Sequence, residues 1–528
     1  MLPNVLSRTS VWPGLALVVL AGCGAGVPPG STISTDSTGS AAPPSQRPAA
    51  QPKKLETWDA LYMQGTKIGY AQTTEETVVD GGEPLLQITT IMQMHARRYG
   101  DATQLSIRTI SWEHSDGRLV RFESETRLGT EPTKLSGHVE GNSLKIETTT
   151  GQVRQTSTLP WSAETGGFAA IEQSLRHRPP TPGEHRSVQS LVPIVNQLGT
   201  TELVARDYET TSLLEGDRRL LRIDCSLRLP GAQPLASVVW ADSAGEILKT
   251  LTPGVDQVNY RTTREVALAE TAGPALDLGT STSIRLAAPI PHAHETTLIR
   301  YRVELADGNP AQVFPQGSSQ QVRSLGPHLA EVTVRAIRPS DARMAGPQPA
   351  AANDSPPSDA DRAPSPLVQS DDPLVMELAR EAAGDELDPW RTSVRLEQFV
   401  KQTIRSKNFS QAFSSAGEVA RTREGDCTEH AVLLAALARA RGIPARVAMG
   451  LVYTEPPAGE PMLAFHMWTE VSIGGRWIPL DATLGRGGIG AAHLKLAQSS
   501  LAGADAMAGF LPIAQVLGRL QVTVVSAQ

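Results

Sequence analysis

Gly425-Asp426-Cys427-Thr428-Glu429-His430, an apolar run ending in Gly442-Ile443-Pro444-Ala445-Arg446, then Phe465-His466-Met467-Trp468-Thr469-Glu470 and Trp477-Ile478-Pro479-Leu480-Asp481 decide the fold of this 528-residue chain. Asp426 followed three residues on by Glu429 is a capping-box pattern, which makes Cys427 the first residue of a helix. That helix is apolar on nearly every face and stops at Gly442 and Pro444, so it is expected to be central and buried. Arg446 to Tyr453 then reads as a strand. Ala464 to Ile473 and Arg476 to Asp481 read as two more, joined by Gly474-Gly475, a two-residue hairpin signal.

If the two glycines are the whole turn, Asp481 faces Trp468 and His466 lies two residues further along the same face. Such diagonal neighbours stand ~7–8 Å apart at the backbone, and their side chains can meet. A slip of one residue would send them to opposite faces. The positive end of the helix dipole favours a thiolate at Cys427. His466 then serves as general base, with Asp481 orienting the imidazole. Such a pair attacks an amide carbonyl, with the backbone N–H of Cys427 as one oxyanion donor.

These four motifs, in this order, resemble the bacterial transglutaminase-like superfamily, the papain-related thiol enzymes. The resemblance covers about residues 373 to 490 and includes Ala482-Thr483 after the last motif; Met467 departs from the more usual Ala. It implies Cys427 as nucleophile, His466 as base and Asp481 as orienting acid. It also implies a second oxyanion donor upstream of the cysteine, for which Asn408 is the candidate and Gln411 stands nearby. Glu429 and His430 read as structural, with His430 pointing away from the thiol. Trp468 and Trp477 read as sheet packing, with a wall of the substrate cleft as the other reading of Trp468.

Outward from this core, two helices are expected before the cysteine, one opening at Pro373 and one running from Trp390 to Ile404. After it come a glycine-rich loop from Gly485 to Gly490, a short strand from His493 to Leu496, a partly helical stretch from Asp505 to Leu517 and a terminal strand from Leu520 to Val525, none adding chemistry. Residues 341–370 turn to Pro, Ala, Ser and Asp and read as a disordered linker, with Asp354, Asp359 and Asp361 as solvated charges. Residues 276–340 read as a small β domain. Residues 55–275 alternate in short runs between turn signals such as Asp80-Gly81-Gly82 and Glu140-Gly141-Asn142, the pattern of antiparallel hairpins. One helix is expected there from Gly166 to Leu175. The order of hairpins and the Gly69-Tyr70 turn after Tyr62 loosely resemble the curved antiparallel sheets of periplasmic lipoprotein carriers, which bind apolar ligands; a curved sheet with an ordinary packed core is the favoured reading. Cys225, sharing a strand face with Ile223 and Leu227, reads as a buried structural thiol, although pairing with Cys427 stays open.

At the N-terminus, Arg8, an apolar stretch from Val11 to Leu20 and Leu20-Ala21-Gly22-Cys23 form a signal peptide over residues 1–22, too short in its apolar part to span a bilayer. The small residues before Cys23 resemble a bacterial lipobox, which implies lipidation of Cys23. Residues 23–54 are then a flexible tether, and 371–528 the thiol-enzyme domain. The fold class is thus multidomain, an α+β papain- or transglutaminase-like core preceded by largely antiparallel β domains. The chain carries 48 basic and 55 acidic residues and three cysteines, which points away from nucleic acid as a partner, from a disulfide framework and from a cysteine-rich zinc site. No cofactor and no metal are expected. The expected partners are a protein or peptide substrate and the membrane through the N-terminal lipid, in the cell envelope; the oligomeric state is not fixed. The other reading is a non-catalytic scaffold lipoprotein that keeps this fold for docking.

Overall fold

The computed structural model describes residues 54–270, 273–306, 308–337, 354–455 and 460–528. The signal peptide, Cys23, all but the last residue of the tether and the first part of the second linker lie outside them. Among the described residues, no helix is long and apolar enough to cross a membrane.

The first half is a meander in which hydrophobic alternation meets tight turns. Fourteen antiparallel strands run from β1 (Leu55–Met63) to β14 (Gln257–Thr262), with β1 beside β14 in the middle and β8 (Val153–Pro160) and β9 (His185–Val192) at the two edges. The turn signals sit where expected: Asp80 pairs with Glu83 around Gly81-Gly82, and Glu140 with Ser143 around Gly141-Asn142. The interrupting helix α1 (Ala170–His177) starts a few residues later than the spacing predicts and buries Ile171 and Leu175 against Leu203, Leu221, Ile223 and Val239. Cys225 lies in that same cluster as a free, buried thiol, which burial pushes up to about 12. Cys427 belongs to another core cluster, and Cys225 is not its partner.

Two expected boundaries are corrected. The small β domain does not stand apart from the C-terminal core: β16 (Leu298–Leu305), β17 (Gln320–Gly326) and β18 (Leu329–Arg335) form one sheet with the terminal strand β23 (Leu520–Ala527), while β15 (Ile284–Arg285) joins a sheet of the core. A terminal strand carries no turn that names its neighbour, so the pairing has no local sequence signal. The linker is ordered from Asp354 onward. Leu367 and Val368 enter the core, Trp477 Nε1 donates to Ser355 O at 2.7 Å, and Asp354 accepts from the Ser318 amide at 2.9 Å. Asp361 closes a capping box with Ser358 and is buried. Only Asp359 among the three acids keeps a solvated place.

In the C-terminal core, α2 (Pro373–Ala383) and α3 (Pro389–Thr403) each begin with a proline behind an aspartate cap, Asp372 and Asp388. A third helix, α4 (Ala416–Thr422), capped by Ser415, precedes α5 (Cys427–Ala440). Of these, α5 and a small part of α3 lie against a sheet ordered β15, β20 (Met462–Ile473), β19 (Ala445–Thr454), β22 (His493–Ser499), with β21 (Arg476–Leu480) also paired to β20, while α2 and α4 pack on α5. From Val432 to Ala438, α5 has no solvent exposure. This follows from its apolar circumference and makes it the rigid axis of the core.

Candidate active site

Three backbone features set the start of α5. Gly425 has φ of 147°, and a Cβ there would stand 2.3 Å from the Glu429 Cβ, so the turn into the helix needs glycine. Asp426 accepts the Thr428 N–H at 2.8 Å, and Glu429 accepts the Asp426 N–H at 2.9 Å. This capping box places Cys427 first in the helix, where backbone N–H groups have no intrahelical partner. Burial, ahead of the neighbouring Asp426, holds the Glu429 carboxyl well above the usual carboxylate range.

The hairpin has the expected register. Ile473 pairs with Arg476 and Thr469 with Leu480, so the next opposed residues are Trp468 and Asp481; both turn glycines have positive φ, 59° and 81°, as a type I′ turn requires. His466 Nε2 reaches Asp481 Oδ2 at 2.8 Å. The other carboxylate oxygen accepts the Thr483 amide at 2.9 Å and its hydroxyl at 2.6 Å. Burial alone would push the Asp481 carboxyl up, but the imidazoles hold it well below the usual range.

A second imidazole was missed by the sequence reading, which gave the strand after Gly490 no chemistry. His493 is fully buried and places Nε2 3.0 Å from the same Asp481 Oδ2. Its strand lies beside β19, not beside the hairpin, so no turn geometry linked it to Asp481. Burial lowers its pKa. Glu397 of α3 was missed for the same reason: it accepts the Asp481 N–H at 3.1 Å and the Gly487 N–H at 2.6 Å, and burial pushes its carboxyl up to about 8.

Cys427, His430, His466, Asp481, Tyr453 and Lys407 line one cleft of about 240 Å³. His430 therefore borders the same cleft as Cys427. Its Nδ1 donates to the Asp426 carbonyl at 2.6 Å, and burial lowers its pKa. His294, from the segment before β16, also lines the cleft and is lowered to about 4, chiefly by burial and then by His493. Asn408 is not among the lining residues: its amide donates to Glu424 at 3.2 Å, and its carbonyl accepts the Ser410 N–H at 2.9 Å. Trp468 is buried and stacks near His466, rings 6.2 Å apart. Trp477 lies under Arg446, 3.8 Å from its guanidinium carbon.

His466, Asp481 and His493 are also a possible metal-ligand set. Ligand atoms ~2.0–2.2 Å from a tetrahedral zinc would stand about 3.4 Å apart. Two Nε2 atoms 2.8 and 3.0 Å from one oxygen instead have the spacing of charge-assisted hydrogen bonds.

Residues 376–482 match the family model described as transglutaminase-like superfamily. No curated protein matches the sequence. Among solved structures, a candidate cysteine protease from Cytophaga hutchinsonii is 16% identical over 44% of this chain and 89% of its own, with a TM-score of 0.28. The periplasmic domain of TgpA from Pseudomonas aeruginosa, bound to ethylmercury, is 17% identical over 39% of this chain and 97% of its own, with a TM-score of 0.22. A β-barrel-like protein from Brucella abortus, a domain of unknown function, is 8% identical over 40% of this chain and 96% of its own, at 0.30. With TM-scores this low, these likenesses carry no functional weight.

Proposed function

From a chain whose residues 376–482 are a transglutaminase-like domain, we propose a thiol enzyme that cleaves peptide or carboxamide bonds, with Cys427 as nucleophile, His466 as base and Asp481 as its orienter. The observation that carries this reading is the shared cleft of the three side chains, together with the 2.8 Å contact that fixes the imidazole by Nε2. The Cys427 proton passes to His466 Nδ1, and the thiolate attacks the carbonyl carbon. The tetrahedral oxyanion is met by the Cys427 backbone N–H. The C–N bond breaks as His466 returns the proton to the leaving amine, which leaves a thioester. Water, deprotonated by the same imidazole, then releases the acid and restores the thiol. Asp481, held ionised, stabilises the imidazolium formed in each half-reaction. Asn408, with its amide turned to Glu424, gives this scheme no second oxyanion donor.

Hydrolysis is the favoured outcome, because crosslinking needs a second, amine-binding cleft. Lipidation at Cys23 would place the enzyme in the cell envelope; loss of labelled palmitate incorporation in Cys23→Ala tests that placement. The catalytic reading is tested by comparing cell-envelope peptides from wild type and Cys427→Ala. Peptides that accumulate uncleaved in the variant support it. Identical peptide sets would favour a scaffold that keeps the fold for docking.

A further inference from the structure

The fourteen-stranded sheet reaches into the proposed catalytic centre at one buried charge. Arg98 is the last residue of β3 (Glu83–Arg98) and has no solvent exposure. Its Nη2 meets Asp426 Oδ2 at 2.5 Å and its Nη1 donates to Gln411 O at 2.7 Å. Asp426 is both the N-cap of α5 and the residue before Cys427. The loop upstream, which brings Lys407 and Phe409 to the cleft, is tied to the same region of the sheet. Thr103 donates to Phe409 O at 2.6 Å, Ala412 N–H donates to Leu128 O at 2.6 Å, and Tyr99 packs on Phe409 with rings 5.5 Å apart.

We propose that the sheet is a working part of the site, and that Arg98 is a positioning residue whose guanidinium neutralises the Asp426 cap beside Cys427. This rests on the catalytic reading of Cys427. A buried carboxylate that loses its partner is strongly disfavoured. Here it would also repel the thiolate one residue away and loosen the cap that points the first N–H groups at the cleft. The groups facing Asp426 are Arg98 and Tyr99 from the sheet side, and Glu429 and His430 from its own helix, with Glu429 held above the usual carboxylate range and His430 lowered. Arg98 is thus the cation set directly against it. A guanidinium suits the position because one fork spans the carboxylate and the Gln411 carbonyl together.

The test is the pH profile of Cys427 alkylation by iodoacetamide in the full chain, read at Cys427 by peptide mapping, with melting temperature measured in parallel. In Arg98→Met the midpoint is expected to rise by about one unit, so that the rate at pH 6 falls about tenfold. Arg98→Lys, which keeps the charge, should recover most of the loss. In Arg98→Met/Asp426→Asn the orphaned charge is gone and the cap chemistry is kept, and the midpoint should return toward the wild-type value. That double variant decides the question if Arg98→Met does not fold: a folded double variant with a near-wild-type midpoint supports the proposal, and an unfolded one or a raised midpoint overturns it. A merely structural contact would lower the melting temperature and leave the midpoint in place, which also overturns it. A wild-type midpoint equal to that of an ordinary thiol and indifferent to His466→Ala would instead refute the catalytic reading itself.

Discussion

Asp481→Asn separates the proposed orienting role of the carboxylate from simple packing. In the native site Oδ1 takes two donors from Thr483 and Oδ2 takes Nε2 of both His466 and His493. An asparagine that keeps Oδ1 on Thr483 must point its NH₂ at the two imidazoles. Both rings would then have to present Nε2 as acceptors and carry their proton on Nδ1, the tautomer that cannot accept the thiol proton. The flipped amide instead sets its NH₂ against the Thr483 N–H. Either way the imidazolium loses its ionised acceptor, a hydrogen bond to a charged group worth about 2 kcal/mol. At 1.36 kcal/mol per tenfold, this amounts to a roughly 30-fold drop in Cys427 alkylation at pH 6, and the volume of the side chain is unchanged. At pH 10, above the ordinary thiol value of about 8.5, the two proteins should react at similar rates. A change below threefold at pH 6 would refute the reasoning. An equal loss at both pH values would show lost access or lost fold, and would refute it too.

Three further outcomes follow from the same geometry. Glu397 is pushed up to about 8, so its contribution to stability is complete below the ordinary carboxylate pKa and is lost as pH rises through 8. Melting curves from pH 6 to 9 should therefore fall more steeply for wild type than for Glu397→Gln, whatever the baseline cost of turning an NH₂ toward Gly487; parallel slopes would count against a neutral Glu397. Burial lowers His493, so its contribution is complete above the ordinary histidine value near 6.5 and fades as pH falls below it. Between pH 7 and 5 His493→Gln should lose less stability than wild type, since the other lowered imidazoles, His430 and His294, are common to both proteins; an unchanged slope would contradict this. Gly475→Val forces a β-branched residue to φ of 81°, at a cost of about 1–2 kcal/mol; a urea midpoint equal to wild type would show that the turn is not under that constraint.

The parts of the site legible in the sequence are those whose partners are set by local geometry. Gly474-Gly475 fixed one register, and with it the meeting of His466 and Asp481. Asp426 and Glu429 are three residues apart in a capping box, so the start of α5 needed no tertiary information. His493, Glu397 and Arg98 come from elements that no short turn ties to the hairpin or to α5, and a lone histidine, glutamate or arginine at a strand or helix position has no pattern of its own. The same cause hid the pairing of β23 with β16. The linker beyond Asp354 misled because its composition is that of a solvated chain, while its order comes from contacts with Ser318 and Trp477 far away in sequence. Asn408 was chosen by position alone, and its amide found a nearer partner in Glu424.

The central claim, that Cys427 forms an acyl-enzyme from an amide, is tested most directly by trapping the acyl group. The purified full chain is incubated with a mixture of peptides and hydroxylamine, which attacks a thioester to give a hydroxamate and regenerate the thiol, and products are read by mass spectrometry. The account predicts peptide hydroxamates from wild type and none from Cys427→Ala or His466→Ala. Hydroxamates formed equally by Cys427→Ala, or by none of the proteins, would contradict it.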